Sequence, residues 1–140
     1  MTSSLLNQQR KIARAEAVVI IAPVWFVGFP AILKGWIERV FTYGFAFGFT
    51  PEGWKGEMKG HVPLFKHQKA LIISTTMFNE KAYQGGLGDA MKRLIDDFGF
   101  RYSGIRNVEH VYFYSVAGVD AATRQSYLQQ SYCLGKEFAN

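Results

Sequence analysis

The chain has 140 residues, 49% of them hydrophobic and 19% charged, which fits one globular domain with its own core and excludes a disordered segment. Its net charge of +5 comes from scattered Lys and Arg without a basic run, so a nucleic-acid groove is not expected and at most a mild preference for small anions is. A single cysteine, Cys133, leaves neither an internal disulfide nor a cysteine metal site and fits a reducing cytoplasm.

Thr2–Ala15 reads as a helix, with Thr2, Ser3 and Ser4 as candidate caps and Leu5, Leu6, Ile12 and Ala13 as an apolar stripe. Ala17 to Leu33 then passes without a charge. A membrane-spanning helix needs about 20 apolar residues, and Pro23, Gly28 and Pro30 interrupt this run, so membrane insertion is set aside. Ala17–Ala22 instead reads as a β-branched strand of the kind buried on both faces of a parallel sheet. Pro23–Phe29 is an aromatic loop. Pro30 suits the first turn of a helix whose face carries Ile32, Leu33, Trp36, Ile37 and Val40, with Lys34, Glu38 and Arg39 largely opposite.

Tyr43–Lys66 is rich in Gly and Phe and shows no sustained period, and an irregular stretch of that length in a compact domain is usually functional. Lys69–Thr75 is a second buried strand, and Thr75–Gly88 is a second loop at a carboxyl end. Asp89–Phe98 is an amphipathic helix that Gly99 closes, and Val108–Val116 is a third strand. Asp120 caps a final helix reaching Phe138. Alternation of helix and strand implies an α/β fold: a parallel sheet wrapped by right-handed crossovers. Ligands of such open sheets bind outside the carboxyl ends of the strands, where the two loops converge.

Other chemistries have little support. His61, His67 and His110 show no metal-ligand spacing, and His110, alternating along a strand, reads as a half-buried, satisfied histidine. Asp96 and Asp97 are adjacent on a helix, point apart, and read as a solvated face. No Gly-x-Ser-x-Gly elbow is present.

The segment "PVWFVGFPAILKGWIERVFTYGFAFG", followed by "ALIISTTMFNEKAY", resembles the flavodoxin-like NAD(P)H:quinone oxidoreductases, DT-diaphorase and its bacterial relatives. The resemblance implies a flavodoxin-like open parallel sheet with helices on both faces. It also implies a homodimer with bound FAD, or FMN in its place, passing hydride from NAD(P)H to a quinone-like acceptor. It places Val24, Trp25, Phe26 and Val27 under the flavin ring, with their amides toward its polar edge. Thr75, Thr76, Met77 and Phe78 become the second flavin loop, with Tyr83 near the ring's pyrimidine end. Phe45, Phe47 and Phe49 fall along the substrate side.

Three departures accompany it. Phe47 and Phe49 stand where relatives carry tyrosines. "TTMF" replaces "TTGG", and no histidine follows Tyr83, the stretch being Gln84 to Gly88. Nothing in Met1–Glu16 resembles the strand, phosphate loop and second strand with which the family opens, so strands 3, 4 and 5 of the order 2-1-3-4-5 are expected, with Ala17–Ala22 at an open edge. The expectation is that the N-terminal helix folds across that edge, that two chains pair there, or that residues 1–140 are a partial, N-terminally truncated flavodoxin-like domain left from a longer gene. The rival reading is a non-catalytic α/β binding or interaction module that holds flavin weakly or not at all.

Overall fold

The computed structural model describes residues 3–138. In chain order the elements are α1 (Ser3–Arg14), β1 (Ala17–Pro23), α2 (Ala31–Val40), β2 (Phe47–Phe49), α3 (Pro51–Trp54), β3 (His61–Pro63), β4 (Lys69–Thr75), α4 (Glu80–Tyr83), α5 (Gly86–Met91), β5 (Asn107–Phe113) and α6 (Ala121–Phe138). A π-helical segment, Lys92–Arg101, continues α5. Thr2, proposed as a cap, lies outside the described residues.

The three apolar runs pair in parallel in the order β1–β4–β5, with Ala17 opposite Lys69 and Lys69 opposite Asn107. These are the strands expected at places 3, 4 and 5 of a flavodoxin-like sheet. β4 is central, and Ala70 through Ser74 are buried. β1 corrects the expectation of burial on both faces. Val18, Ile20 and Ala22 face the core, whereas Val19 and Ile21 remain exposed because the helix on their side does not reach the edge strand.

One face of the sheet is covered by α1, α2, α5 and the π segment, which enclose Ile12, Val40, Met91, Ile95 and Phe100 against Val18, Ile20 and Ile72. Among the described residues the other face carries α6 alone, packed on Leu71, Ile73 and Phe113 through Tyr127 and Leu134. Pro30 immediately precedes α2, its missing N–H falling where the helix has no internal acceptor to offer. Leu33, Trp36, Ile37 and Val40 pack inward as the spacing requires; Ile32 does not and is exposed. α1 packs beside α2, where Gln9 Nε2 donates to the Val40 carbonyl at 3.1 Å, and it leaves the β1 edge open.

Two boundaries differ from the sequence reading. Gly99 does not close its helix: the chain continues in π spacing to Arg101, whose guanidinium donates to Asp97 at 2.6 Å and to the Val108 carbonyl at 3.2 Å. The wider turns bring Asp96 inward. It is buried against His110, not solvated as expected, while Asp97 does point outward. β5 ends at Phe113 and not Val116, because Ser115 has φ 55 and its N–H turns back to the Phe78 carbonyl at 3.1 Å. Asp120 caps α6 as read, its Oδ1 accepting from Thr123 N–H at 2.8 Å.

The irregular stretch holds the antiparallel β2–β3 pair, Phe47 opposite Pro63, braced by α3. Gly53 and Gly60 cross so closely that a Cβ on Gly60 would stand 1.9 Å from the Gly53 nitrogen.

Candidate functional site

The parallel register sets Pro23 beside Thr75, so the two loops leave neighbouring strand ends. Val24 N–H donates to the Thr75 carbonyl at 2.8 Å and ties them together. Trp25 and Gly28 then exchange two backbone hydrogen bonds, 2.9 and 3.1 Å, around Phe26 and Val27, which have φ 46 and 66. This is a type I′ hairpin turn, a geometry that ordinarily selects Asn-Gly. A left-handed conformation costs about 1–2 kcal/mol per non-glycine residue, and a β-branched residue there is an outlier of the kind that collects at ligand sites. The Phe26 side chain is fully exposed, and Trp25 and Val27 are also exposed. Nothing in their packing explains the choice of residues.

In the second loop Thr76 is buried and structural. Its hydroxyl donates to the Phe78 carbonyl at 2.7 Å and accepts from Ser115 N–H at 3.2 Å. Held this way, Met77 and Phe78 project outward and are exposed. Of the amides assigned to a ligand, those of Val24 and Trp25 are consumed internally. Those of Phe26, Val27, Met77 and Phe78 have no hydrogen-bond partner among the described residues. The rim therefore offers two pairs of amide donors beside exposed aromatic and apolar side chains.

The remaining expected residues lie elsewhere. Tyr83 is buried below the rim, its ring 6.2 Å from Tyr112 and 5.6 Å from Tyr114. Phe45 packs on Phe65 in the core, and Phe47 and Phe49 join Tyr43, Trp54, His61 and Tyr102 in a separate aromatic cluster on the β2–β3 hairpin. Within one chain no ring contact links that cluster to Trp25, Phe26 or Phe78 among the described residues. Each loop borders its own cleft. Phe26 and Val27 line one of about 320 Å³ with Ile37, Phe41 and Phe100, and Thr75 lines another of about 330 Å³ on the α6 side.

One cluster was missed. His110 Nδ1–H is shared between Asp96 Oδ1 at 2.8 Å and the Tyr112 hydroxyl at 3.2 Å, leaving Nε2 to accept from Ser74 Oγ at 2.9 Å. Its order is that of a serine-hydrolase triad, but Ser74 is buried in mid-sheet, where no acyl substrate can approach. Burial first, then the Asp96 charge, pushes the Tyr112 hydroxyl well above the ordinary tyrosine range, and burial with Glu80 raises Tyr114. Both phenols stay protonated and buttress Tyr83. The inward parity of Val108, His110 and Tyr112 along β5 was a usable signal; the π spacing that delivers Asp96 was not.

A flat aromatic cofactor with carbonyl and ring-nitrogen acceptors fits this rim, which supplies apolar faces and unpartnered donors. The phosphate portion of such a cofactor has no comparable provision. The first helix after Met77 and Phe78 is α4, four residues long with Glu80 in its first turn.

This architecture is that of an open, parallel α/β domain. Residues 4–132 match the family described as having a flavodoxin-like fold, and the chain belongs to that family. It is 29% identical over 118 residues to an uncharacterized NAD(P)H oxidoreductase of Haemophilus influenzae, covering 84% of this chain and 55% of that one. Among solved structures it superposes on an NAD(P)H:quinone oxidoreductase from Methanothermobacter marburgensis with a TM-score of 0.84 at 23% identity, covering 99% of this chain and 66% of that one. An FMN-dependent NADH-azoreductase from Bacillus anthracis, solved in complex with FMN, gives a TM-score of 0.76 at 19% identity, with 98% and 62% covered. At these identities the structural matches establish the fold. The chain matches between about a quarter and just over half of the length of its curated relatives.

Proposed function

We propose that this chain carries the ring-binding part of a flavin-dependent NAD(P)H oxidoreductase with a quinone-like acceptor, taking FAD or FMN at the carboxyl rim of β1 and β4. The observation that carries this reading is the pair of adjoining loops, each with two unpartnered amides beside exposed apolar side chains, one of them held in a strained turn. Relatives named as NAD(P)H oxidoreductases and the FMN complex of a structural neighbour support it.

Trp25 and Phe26 provide the flat apolar surface. The amides of Phe26, Val27, Met77 and Phe78 address the ring's acceptor atoms. Val24, Thr75 and Thr76 hold the two loops in register, and Tyr83 supports the second from below. A bound flavin supplies the capacity to take a hydride from NAD(P)H and pass it to an acceptor. Hydride transfer needs no protein nucleophile, so the chain's work is to bind, orient and exclude water. Phe47 and Phe49, with Phe45 behind them, are assigned to the acceptor side. Because they stand apart from the rim within one chain, that assignment goes with a homodimer. A cytoplasmic location accords with the lone Cys133, and among the described residues no helix is long and apolar enough to cross a membrane.

The second reading, a non-catalytic binding module, is favoured by α4, whose four residues, opening on Glu80, give a flavin's phosphates no helix N-terminus beside Met77 and Phe78. Lumiflavin, which is the ring alone, separates the readings. The reductase reading predicts that FMN and lumiflavin both quench on titration with the protein, and that Trp25→Ala weakens both at least tenfold without changing the melting temperature. Titrations unchanged in Trp25→Ala would remove this loop from the site, and an absence of quenching in the parent chain would leave the module reading.

A further inference from the structure

The amino end of the sheet, opposite the carboxyl rim, holds a cleft that the oxidoreductase reading does not use. Where β4 begins at Lys69, beside Asn107 of β5, a space of about 390 Å³ lies between residues 63–68 and residues 101–107. Both walls are fixed. Phe65 N–H donates to the Ser103 carbonyl at 2.9 Å, and Gly104, with φ 114, packs so closely that a Cβ there would stand 2.4 Å from the Phe65 oxygen. Arg101 staples its own turn, donating from Nε to the Arg106 carbonyl and from Nη2 to the Val108 carbonyl, both at 3.2 Å. His67 ties the other wall to α1, its Nε2–H donating to the Ile12 carbonyl at 2.9 Å. A ligand entering here meets groups already in place, which lowers the ordering cost of binding.

The charge of this cleft is one-sided. Lys66, His67, Arg101 and Arg106 line it, and no acidic side chain does. Of the nearby carboxylates, Asp97 is engaged by Arg101, and Glu16 borders a neighbouring cleft. Lys66 and Arg106 are exposed and have no ion-pair or hydrogen-bond partner among the described residues. The backbone N–H groups of Lys66, His67 and Arg106 have no acceptor among the described residues either. His67 Nδ1 is buried and equally unpartnered, an exception in a fold that pairs most buried polar atoms. Gln68 and Asn107 add amide groups at the same wall.

We propose that this cleft binds a dianionic phosphoryl group, free or at the end of a small ester, with Lys66 and Arg106 as its charge partners. Two unpaired cations match two negative charges, whereas a monovalent anion leaves one cation uncompensated. Arginine offers a planar fork to two phosphate oxygens, lysine a point charge to a third, and unpartnered backbone N–H groups complete the usual donor set. Pro63 and Phe65 form an apolar wall for the carbon body of an ester. The cleft stands about 20 Å from the carboxyl rim, the length of the seven-residue β4. It is therefore a separate site from the one assigned to flavin.

The test is an amide-resolved NMR titration of the full chain with inorganic phosphate, set against sodium chloride at matched ionic strength. The amides of Lys66, His67 and Arg106 are expected to shift saturably, while those of Phe26, Val27, Met77 and Phe78 at the rim stay still. Lys66→Gln and Arg106→Gln, both at exposed positions, should each weaken binding roughly fivefold to tenfold. The double variant should lose binding with its circular dichroism spectrum preserved. Ribose 5-phosphate is the second probe: binding at least tenfold tighter than inorganic phosphate assigns the cleft to esters, and binding no tighter assigns it to the free ion. The absence of a saturable shift at about 20 mM phosphate, well above the Kd of even a millimolar site, overturns the proposal. So do equal shifts with chloride, or phosphate binding that survives in the double variant. No flavin is added, so this result stands apart from the oxidoreductase reading.

Discussion

If the Phe26–Val27 turn is kept for a ligand and not for the fold, replacing it with the residues its geometry prefers should stabilise the protein and impair binding. The substitution is Phe26→Asn with Val27→Gly. Two left-handed residues at φ 46 and 66 cost together about 2–4 kcal/mol, a strain Asn-Gly largely avoids. Removing the fully exposed Phe26 ring gives up no burial. Losing the half-exposed Val27 side chain sacrifices about 1 kcal/mol, and the added glycine costs a further 0.5–1 kcal/mol, roughly, in chain entropy. The net expectation is a gain of about 0–2.5 kcal/mol, or up to roughly 10 °C in melting temperature. Urea and thermal unfolding measure the gain, and FMN titration measures the expected loss of at least tenfold in affinity. A stability lower by the full loss of about 1.5–2 kcal/mol would show that the turn is not strained. A stabilised variant with full FMN affinity would show that the strain has no part in binding.

The buried histidine cluster gives a second prediction. Asp96 and His110 side chains are only 6% and 3% exposed, so His110→Leu strands a buried carboxylate and should cost about 3–5 kcal/mol. His110→Leu combined with Asp96→Leu should recover at least half of that in urea denaturation at neutral pH, and strictly additive losses would refute the pairing. Burial holds His61 below its ordinary value of 6.5 where it stacks on Tyr102 at 3.6 Å. The unfolded chain therefore binds more protons in the window beneath 6.5, and the stability present above it is lost as pH falls through the folded value. His61→Phe should flatten that part of the stability profile, and an unaltered slope would contradict the assignment. Gly60→Ala, whose Cβ would collide with the Gly53 backbone, should lower the melting temperature sharply. Gly35→Ala in α2, where a Cβ meets nothing, should add about 0.5–1 kcal/mol.

The sheet was legible because its strands are short β-branched runs punctuated by Pro23, Thr75 and the turn after Phe113, so period and punctuation agree. α2 and α6 were legible for the same reason, through Pro30 and Asp120. Pattern cannot show what is next to a strand in space. Val19 and Ile21 look as buriable as Val18 and Ile20, and only the absence of a neighbouring strand and of a helix above them makes them exposed. The π segment was invisible because nothing in "KRLIDDFGFR" distinguishes five-residue from four-residue bonding, and with it went the inward turn of Asp96. Sequence located both loops after β1 and β4 but could not tell which amides each turn consumes. Val24 and Trp25 spend theirs inside the fold, and the donors pass to Phe26, Val27, Met77 and Phe78. The resemblance sets Tyr83 near the flavin ring and Phe45, Phe47 and Phe49 along the substrate side; within one chain Tyr83 and Phe45 pack in the core, and Phe47 and Phe49 sit in a separate aromatic cluster.

The central claim is that the rim presents a flavin in a form that nicotinamide can reduce. The most direct measurement is the visible absorbance of the protein equilibrated with FAD or with FMN under nitrogen, followed on addition of NADPH and then of a quinone. The account predicts a flavin band that bleaches with NADPH far faster than in protein-free flavin and recovers when the quinone is added. A spectrum and a bleaching rate indistinguishable from those of free flavin, with both cofactors, would contradict it.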